Sequence, residues 1–327
     1  MRARYIGFVV TSVELPTQTN RAQTRFARFA WWVLGYILLV VLWGAYVRAT
    51  GSGAGCGNHW PLCNGEVIPR SAAAETVVEF THRLSSGLAL IAVSALCVWA
   101  FRLYARGHRV RLAATLALFF LLVEAALGAG LVLLEYVARN ASLGRAIYLS
   151  AHLANTLVLL AALLLTAWFA RDREGSAGRR PFYLRAALPV TLTVSITGAI
   201  AALGDTLFPA SSITEGFRQE TISTSHVILR LRLLHPAVAI LCGFYLLWGM
   251  ITFLRAKPSS AAVKAAWLAA LLVLLQFIAG AVNVALLAPV WMQLLHLLLA
   301  DLLWLALVIA VVEGGVASRL RPVPRNP

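Results

Sequence analysis

The sequence predicts an all-α integral membrane protein whose eight transmembrane helices form two pseudo-symmetric four-helix bundles. Three observations support this: the composition, eight apolar runs and an internal repeat. Of the 327 residues, 60% are hydrophobic and 13% are charged, and the mean hydropathy is +0.80. Soluble domains contain about 25% charged residues, and disordered chains have low hydrophobicity. The composition therefore excludes both classes.

Each of the eight apolar runs is long enough to cross a bilayer, which takes ~20 helical residues. They cover residues 29–47, 84–101, 112–134, 148–170, 183–203, 233–254, 265–287 and 290–312. The first 28 residues contain five Arg and one short apolar patch, which is too short for a signal-peptide core. We therefore predict four segments, which are an N-terminal tail (1–28), a first half (29–172), a second half (183–312) and a C-terminal tail (313–327).

The net charge of +15 is distributed unevenly among the connecting segments. Twenty of the 28 Lys and Arg residues fall in the two tails and in every second loop, counting Arg185 at the start of the fifth run with the loop before it, and eight fall in the other loops. Because positive residues stay on the cytoplasmic side of a membrane, we predict a multi-pass protein of the cell membrane with both termini in the cytoplasm. No cation cluster has interleaved aromatic residues or a known binding module, so no nucleic acid partner is expected.

The chain resembles itself at an offset of about 153 residues. The 31-residue spacing from Gly51 to His82 recurs from Gly204 to His235, and residues 122–130 of the third span match a stretch of the seventh. Four spans return a chain to its starting side. The two halves are therefore predicted to be related by an axis along the membrane normal.

Four of the seven histidines occupy corresponding places in the second and fourth spans of each half, close to the ends predicted to face outward. They are His82, His152, His235 and His296. Ionisable residues in a membrane are usually functional, and two imidazoles from facing helices can bind a haem iron inside a bundle. Non-haem iron or copper would need a further carboxylate or histidine. The structural alternative is that these histidines cap helices. The remaining three, which do not repeat and are expected on the solvated surface, are His59, His108 and His226.

The two halves differ next to their first histidine. Glu79 lies one helical turn before His82, where a carboxylate can act as a base, a proton relay or an orienting group for a metal ligand. The corresponding residues 232–236 contain no acid. This asymmetry suggests a substrate site in the first half beside an electron-carrying cofactor site in the second. The structural alternative is that Glu79 interacts with the dipole at a helix N-terminus.

Further polar residues are candidates for the same region. Cys56 and Cys63 lie in a loop predicted to face an oxidising compartment, where either a structural disulfide or a redox-active pair is possible. Glu124 and Asp301 lie inside spans, where they could relay protons or pair with a buried donor. Four arginines could hold haem propionates or simply anchor the helices at the interface, and these are Arg48, Arg83, Arg230 and Arg232.

The first predicted outer loop contains VRATGSGAGC at residues 47–56, WPLCNG at 60–65 and IP at 68–69, and it is followed by EFTHR at 79–83. These segments resemble the haem A synthase family, whose Glu-x-x-His-Arg signature is similar to the last of them. The other three repeated histidines fall where that family has its remaining haem-site histidines, so the resemblance covers all eight spans. One departure is His59 with its two preceding residues, where many members have Pro-Asp, and this makes His59 a residue to test.

The resemblance implies an enzyme that oxidises the C8 methyl group of haem O to a formyl group, giving haem A for cytochrome oxidase. His82 and His152 would bind the haem O substrate, and His235 and His296 would bind a haem b cofactor. Glu79 would be the catalytic residue, acting by stabilising a cationic intermediate or by moving a proton. The implied partners are haem O synthase, an electron donor and the lipid bilayer, and a homo-oligomer is also possible.

The cysteine pair Cys56 and Cys63 corresponds to loop cysteines that are linked to function in the family. Two other functions are compatible with the residues alone. A di-haem b-type electron-transfer protein linked to quinol would use the same four histidines without needing Glu79. A transporter built from two parallel repeats would need no haem at all.

Overall fold

The computed structural model describes residues 18–70, 73–171, 180–222, 224–256 and 258–315. Within these ranges the chain forms nine α-helices, one 3-10 turn (Ser52–Ala54) and no strand, and eight of the helices are long and apolar enough to cross a membrane. The predicted all-α membrane fold is thereby confirmed. The helices are α1 (Gln18–Ala49), α2 (Ala74–Leu103), α3 (Arg109–Leu133), α4 (Leu143–Phe169), α5 (Phe182–Leu207), α6 (Ile213–Thr221), α7 (Val227–Arg255), α8 (Ser260–Ala285) and α9 (Val290–Glu313).

Side-chain caps begin several of these helices. The hydroxyl groups of Ser142, Ser212 and Ser259 each accept a hydrogen bond from the backbone N–H three residues later, at 3.2, 3.1 and 3.3 Å. Such caps satisfy N–H groups that have no partner within the helix. The Nδ1 atoms of His108 and His226 accept in the same way from the N–H two residues later. These two histidines, expected only to lie on the solvated surface, therefore start α3 and α7.

Most of the spans begin earlier than predicted, and the extensions of α2 and α7 affect the repeated histidines. Helix α2 begins at Ala74 rather than at residue 84, and α7 begins at Val227 rather than at residue 233. Polar residues in the added turns have partners inside the protein, as the pairing of Glu79 with Arg83 illustrates, so the helix continues beyond the apolar run. His82 and the corresponding His235 consequently lie eight residues inside their helices rather than at the ends.

Two large clusters of buried side chains form most of the core in the described part of the chain. One gathers residues of α1 to α4, and the other gathers residues of α5, α7, α8 and α9. Helix α9 connects them, because Trp304 packs in the first cluster and its indole N–H donates to the backbone carbonyl of Leu157 on α4 at 2.6 Å. The two halves therefore contact each other through the interior of the protein.

Candidate functional site

A cavity of about 2070 Å³ is lined by residues of both halves, including all four repeated histidines. Ligand pockets usually measure ~300–1,000 Å³, so this cavity has room for two large groups. It is also lined by acidic and basic residues, which are Arg48, Glu79, Arg83, Glu124, Arg145, Asp205, Glu220, Arg232 and Asp301.

Each histidine ring lies beside a glycine of a neighbouring helix. A Cβ atom added at Gly44 or Gly198 would lie 2.9 or 3.0 Å from the Cε1 atom of the nearby ring, which is closer than carbon atoms normally approach. At the other two positions the distances would be 3.9 and 3.5 Å. In each half, the ring of the first histidine is therefore packed tightly against a glycine of a neighbouring helix. The pairs are Gly44 with His82, Gly128 with His152, Gly198 with His235 and Gly280 with His296.

The ring nitrogens are oriented in a common way. The Nδ1 atoms of His82, His152 and His296 are buried. The Nδ1 atom of His235 lies 3.0 Å from the hydroxyl oxygen of Thr197. Since all four rings line the cavity, Nε2 is the nitrogen that each of them can offer to a bound metal.

The second histidine pair has the spacing of two axial haem ligands. The ring centroids of His235 and His296 lie 6.4 Å apart, with the ring planes at 83°. A metal bound by Nε2 of two opposed rings places their centroids ~6.2 Å apart, from ~2.0 Å per bond and ~1.1 Å from nitrogen to ring centre. Among the described residues, no group of three or more His, Cys, Asp or Glu side chains could hold a bare metal ion. A haem fits better because its macrocycle supplies the other ligands.

Substituting Gly44 or Gly198, the glycines packed against the first histidine of each half, should therefore disturb haem binding selectively. We expect Gly44→Ala and Gly198→Ala to lower the affinity for haem by about 10-fold or more, as other changes around metal-binding histidines do. The matched control is Gly128→Ala, where the added carbon would be at ordinary contact distance from His152. Haem content per protein, measured on purified samples, tests this. Equal occupancy in Gly44→Ala and Gly128→Ala would contradict it.

Glu79 is buried beside the first pair, with 3% of its surface exposed. One carboxyl oxygen accepts a hydrogen bond from the backbone N–H of Cys56 at 2.8 Å, and the other accepts from Arg83 at 2.5 Å. Arg83 also donates to the backbone carbonyls of His59 and Leu62, both at 2.6 Å. The carboxylate is thus held in one position by a loop that covers the start of α2.

The disulfide expected between Cys56 and Cys63 is present in this loop. The two cysteines are 0% and 1% exposed, and restricted access slows thiol–disulfide exchange, which favours a structural role over a redox-active one. The loop also approaches α2 closely at Gly55, where any Cβ would overlap the backbone of Glu75. Thr76 donates to the carbonyl of Gly55 at 2.7 Å. The disulfide loop therefore packs directly against the turn before Glu79.

The second half has the opposite charge at the corresponding place. Arg232 stands where the repeat has Glu79, and it is buried. Its guanidinium donates to Glu220 at 2.6 Å and to Asp205 at 3.2 Å. These contacts connect α7 to α6 and α5. Helix α6 was not predicted from the sequence, because its nine residues are too short and too polar to stand out as a span.

Arg48 connects the end of α1 to the second half. Its guanidinium donates to the carbonyl of Ala202 and to Thr206 on α5, at 2.7 and 2.8 Å, and to Gln293 on α9 at 2.9 Å. Both contacted helices belong to the second half, and Arg48 lines the cavity. Arg48 therefore joins the first half to the second at the cavity that both histidine pairs line.

One arginine that the sequence did not single out also lines the cavity. Arg145 is 3% exposed and donates to the carbonyls of Ala138 and Asn140, at 2.6 and 3.0 Å. It lies seven residues, or two turns, before His152, so the helical period could have placed both on one face of α4. By contrast, Arg230 is exposed and is not among the residues that line the cavity.

The two acids inside spans have different surroundings. Glu124 contacts the ring of His152 as well as Asn155 and Thr156 of α4. Asp301 is completely buried in α9 and lines the cavity, and its carboxyl group has no hydrogen-bond partner among the described residues. Of the two roles considered for these acids, pairing with a buried donor therefore applies to Glu124.

Comparison with known proteins identifies several relatives. A "Heme A synthase" from Bacillus cereus strain AH187 is 30% identical over 292 residues, which is 85% of this chain and 89% of that protein. Another from Bacillus mycoides strain KBAB4 has the same identity and coverage. A "Protoheme IX farnesyltransferase" from Thermus thermophilus is 48% identical over 291 residues. That match covers 88% of this chain and 48% of the Thermus protein, so the chain spans about half the length of that relative.

The family model described as "Cytochrome oxidase assembly protein" (COX15-CtaA) matches residues 27–308. This range begins in α1 and ends in α9, so it includes both halves and all four repeated histidines. The expected resemblance is confirmed over the same eight spans that the sequence predicted. This chain therefore belongs to the cytochrome oxidase assembly family that includes the haem A synthases.

Proposed function

We propose that this protein is a haem A synthase, which oxidises the C8 methyl group of haem O to a formyl group. One observation carries the proposal. Two histidine pairs line one cavity, and a buried carboxylate, Glu79, lies one helical turn before His82, where the second half has Arg232 before His235. In this proposal His82 and His152 bind the substrate, and the second pair binds a haem b cofactor.

The chemistry matches this division. Converting a methyl group to a formyl group, with water as the formal source of oxygen, releases four protons and four electrons, and the electrons would have to pass to an external electron acceptor. Glu79 accepts one hydrogen bond on each carboxyl oxygen, and each oxygen keeps a lone pair with which it can take up a proton. The same fixed negative charge would favour positive charge developing at the methyl carbon. Glu79 is accordingly proposed as the catalytic residue.

The second pair suits an electron carrier. His235 and His296, whose ring centroids lie 6.4 Å apart, would hold the haem, and Arg232 stands where the first half has its acid. A haem b held by this pair would supply one-electron transfer.

Haem propionates would be held by the arginines that line the cavity. Of the four expected from the sequence, Arg48, Arg83 and Arg232 line it, and all three are hydrogen-bonded within the protein. Arg145 has a buried Nε–H without a hydrogen-bond partner among the described residues. A carboxylate is the natural acceptor for such a group, so we assign a propionate contact to Arg145 first.

The name of the Thermus relatives raises a second candidate, farnesyl transfer to haem. A prenyl diphosphate is usually bound through Mg²⁺, which is held by carboxylates and phosphate oxygens. The chain contains three Asp residues, at 172, 205 and 301, and these are far apart in the sequence. Asp205 is paired with Arg232, and farnesyl transfer would leave the four histidines without a role. We therefore propose that this chain does not itself transfer farnesyl.

The proposed location is the cell membrane, with both termini in the cytoplasm. It rests on the eight apolar helices together with the uneven distribution of Lys and Arg. The histidine pairs and the disulfide loop would then lie toward the outer side. The proposed partners are a haem O synthase, which would supply the substrate, and an electron donor or acceptor. A homo-oligomer is compatible with this arrangement.

Haem extraction tests the function directly. When the protein is produced in cells that contain haem O and no other haem A synthase, we expect haem A among the extracted haems. A catalytically silent preparation with two unmodified haems and quinol-dependent reduction would instead favour a di-haem electron-transfer protein. Formation of haem O from haem b and farnesyl diphosphate by the purified chain would favour the transferase, and a sample without haem would favour the transporter.

A further inference from the structure

We propose that Glu124 is a positioning residue that tunes the iron bound by His152, lowering the reduction potential of the haem in the first half relative to an arrangement without a carboxylate. In the described part of the second half no carboxylate contacts a repeated histidine in this way, and Gln276 stands in the place that corresponds to Glu124. The inference rests on the proposed function in one respect, which is that His152 binds the haem that is to be oxidised.

The contact between the two side chains is direct. Oε1 of Glu124, on α3, lies 3.3 Å from Nδ1 of His152, on α4. Because Nδ1 is buried and the ring lines the cavity, Nε2 faces the space where the iron would lie. The carboxyl group therefore stands behind the ligand, on the side away from the metal. Among the described residues, His152 is the one repeated histidine with a carboxylate within 4 Å.

Glu124 is held in this position by α4 itself. Asn155 donates to Oε2 at 2.5 Å and to the carbonyl of Phe120 at 2.9 Å. The hydroxyl group of Thr156 donates to Oε1. His152, Asn155 and Thr156 are spaced three and four residues apart and so share one face of the helix. This cradle fixes the carboxyl group, which leaves it little freedom to turn away from the ring.

The second half offers a natural comparison. Gln276 lies four residues before Gly280, just as Glu124 lies four residues before Gly128. Its amide N–H donates to the backbone carbonyl of His296 at 3.0 Å. Among the described residues neither His296 Nδ1 nor His152 Nδ1 has a hydrogen-bond partner, and the difference is that a carboxylate oxygen lies 3.3 Å from the Nδ1 atom of His152. The two halves thus have a glycine at the same spacing on corresponding helices. They differ in that the side chain four residues before this glycine is acidic in the first half and neutral in the second.

This difference has a known consequence for a metal ligand. An imidazole whose second nitrogen faces a carboxylate becomes a stronger electron donor. Stronger donation and a nearby negative charge stabilise Fe(III) relative to Fe(II), which lowers the one-electron reduction potential. A haem bound at His152 would therefore give up an electron more readily than it would beside a neutral amide. That direction serves a site where haem is oxidised.

The alternative is that Glu124 only joins α3 to α4. In that case a neutral isostere could support the same packing through Asn155 and Thr156, and the electronic properties of the haem would not change. Glu124→Gln separates the two ideas, because it keeps the size of the side chain and recreates the residue found at 276. Gln276→Glu is the reciprocal change in the second half.

The experiment uses the full-length protein in detergent, loaded anaerobically with haem O in addition to its resident haem. Spectroelectrochemical titration gives the midpoint potential of each Fe(III)/Fe(II) couple. His152→Ala and His296→Ala identify the couple that belongs to each half. We expect Glu124→Gln to raise the potential of the first-half haem without moving the second. Gln276→Glu should lower the potential of the second-half haem without moving the first.

An unchanged first-half potential in Glu124→Gln would overturn the proposal. If that variant does not retain haem O, Gln276→Glu decides the question, and an unchanged second-half potential overturns it. These outcomes are separate from the function itself. Wild-type protein that makes no haem A from haem O would reject the proposed function, whereas normal synthesis with unmoved potentials would reject only the role of Glu124.

Discussion

Glu79→Gln is expected to lower the rate of haem A formation by about 10²-fold or more, the usual size of a lost acid–base group, while leaving haem content unchanged. The amide can still accept from the backbone N–H of Cys56, and Arg83 keeps its contacts with two backbone carbonyls. The loop should therefore stay in place. What disappears is the negative charge and the ability to take up a proton. Haem A formed per unit time from haem O, measured on membranes or purified protein, is the readout.

The matched control is Glu75→Gln, because Glu75 is the other acid near the start of α2 and its side chain is exposed. That variant should make haem A at the wild-type rate. If Glu79→Gln were as active as Glu75→Gln with equal haem content, the catalytic assignment of Glu79 would fail. The di-haem electron-transfer function would then become the better explanation, since it requires the histidines and not the acid.

His235→Ala and His296→Ala are each expected to remove the resident haem b and to abolish haem A formation, while haem O still binds in the first half. One remaining imidazole cannot complete an axial pair whose ring centroids lie 6.4 Å apart in the wild type. Reduced-minus-oxidised difference spectra report the bis-histidine haem, and extraction identifies which haem is lost. The first-half ligands should be unaffected, because His82 and His152 lie on α2 and α4.

His226→Ala provides the control for this experiment. His226 is an exposed cap at the start of α7, nine residues before His235, and it does not line the cavity. Its loss should cost helix stability on the order of 1 kcal/mol and leave the haem spectrum intact. Bis-histidine absorption retained in both His235→Ala and His296→Ala would refute the proposed cofactor site.

Much of the fold could be predicted because the membrane imposes a strong pattern. Long apolar runs and uneven positive charge located all eight spans, and the shared glycine-to-histidine spacing indicated the repeat. Helices α1, α2 and α7 begin six to eleven residues before their predicted starts. For α2 and α7 the reason is that hydropathy takes no account of the buried partners that allow Glu79 and Arg232 to lie inside a helix. Helix α6 was missed for a similar reason: its stability depends on a cap and a neighbouring arginine.

The candidate site was predicted less completely. His82, Glu79 and the cysteine pair stood out because they lie in distinctive local motifs, and Arg145 did not because it has no such motif. Arg230 was expected to share the role of Arg232, yet only Arg232 lines the cavity. Arg230 and Arg232 are two residues apart on α7, so their side chains point in directions about 200° apart around the helix axis. The positions of the neighbouring helices decide which of the two is buried.

The sequence by itself determined the class of the protein, the number of spans, the repeat and the four histidines, because each depends on composition or on spacing along one chain. Only the tertiary structure decided how residues distant in sequence meet. It placed Glu124 behind the ring of His152, left Asp301 without a hydrogen-bond partner among the described residues and brought Arg48 to the second half. Such contacts depend on how helices rotate and pack against one another, and hydropathy and periodicity leave that rotation open.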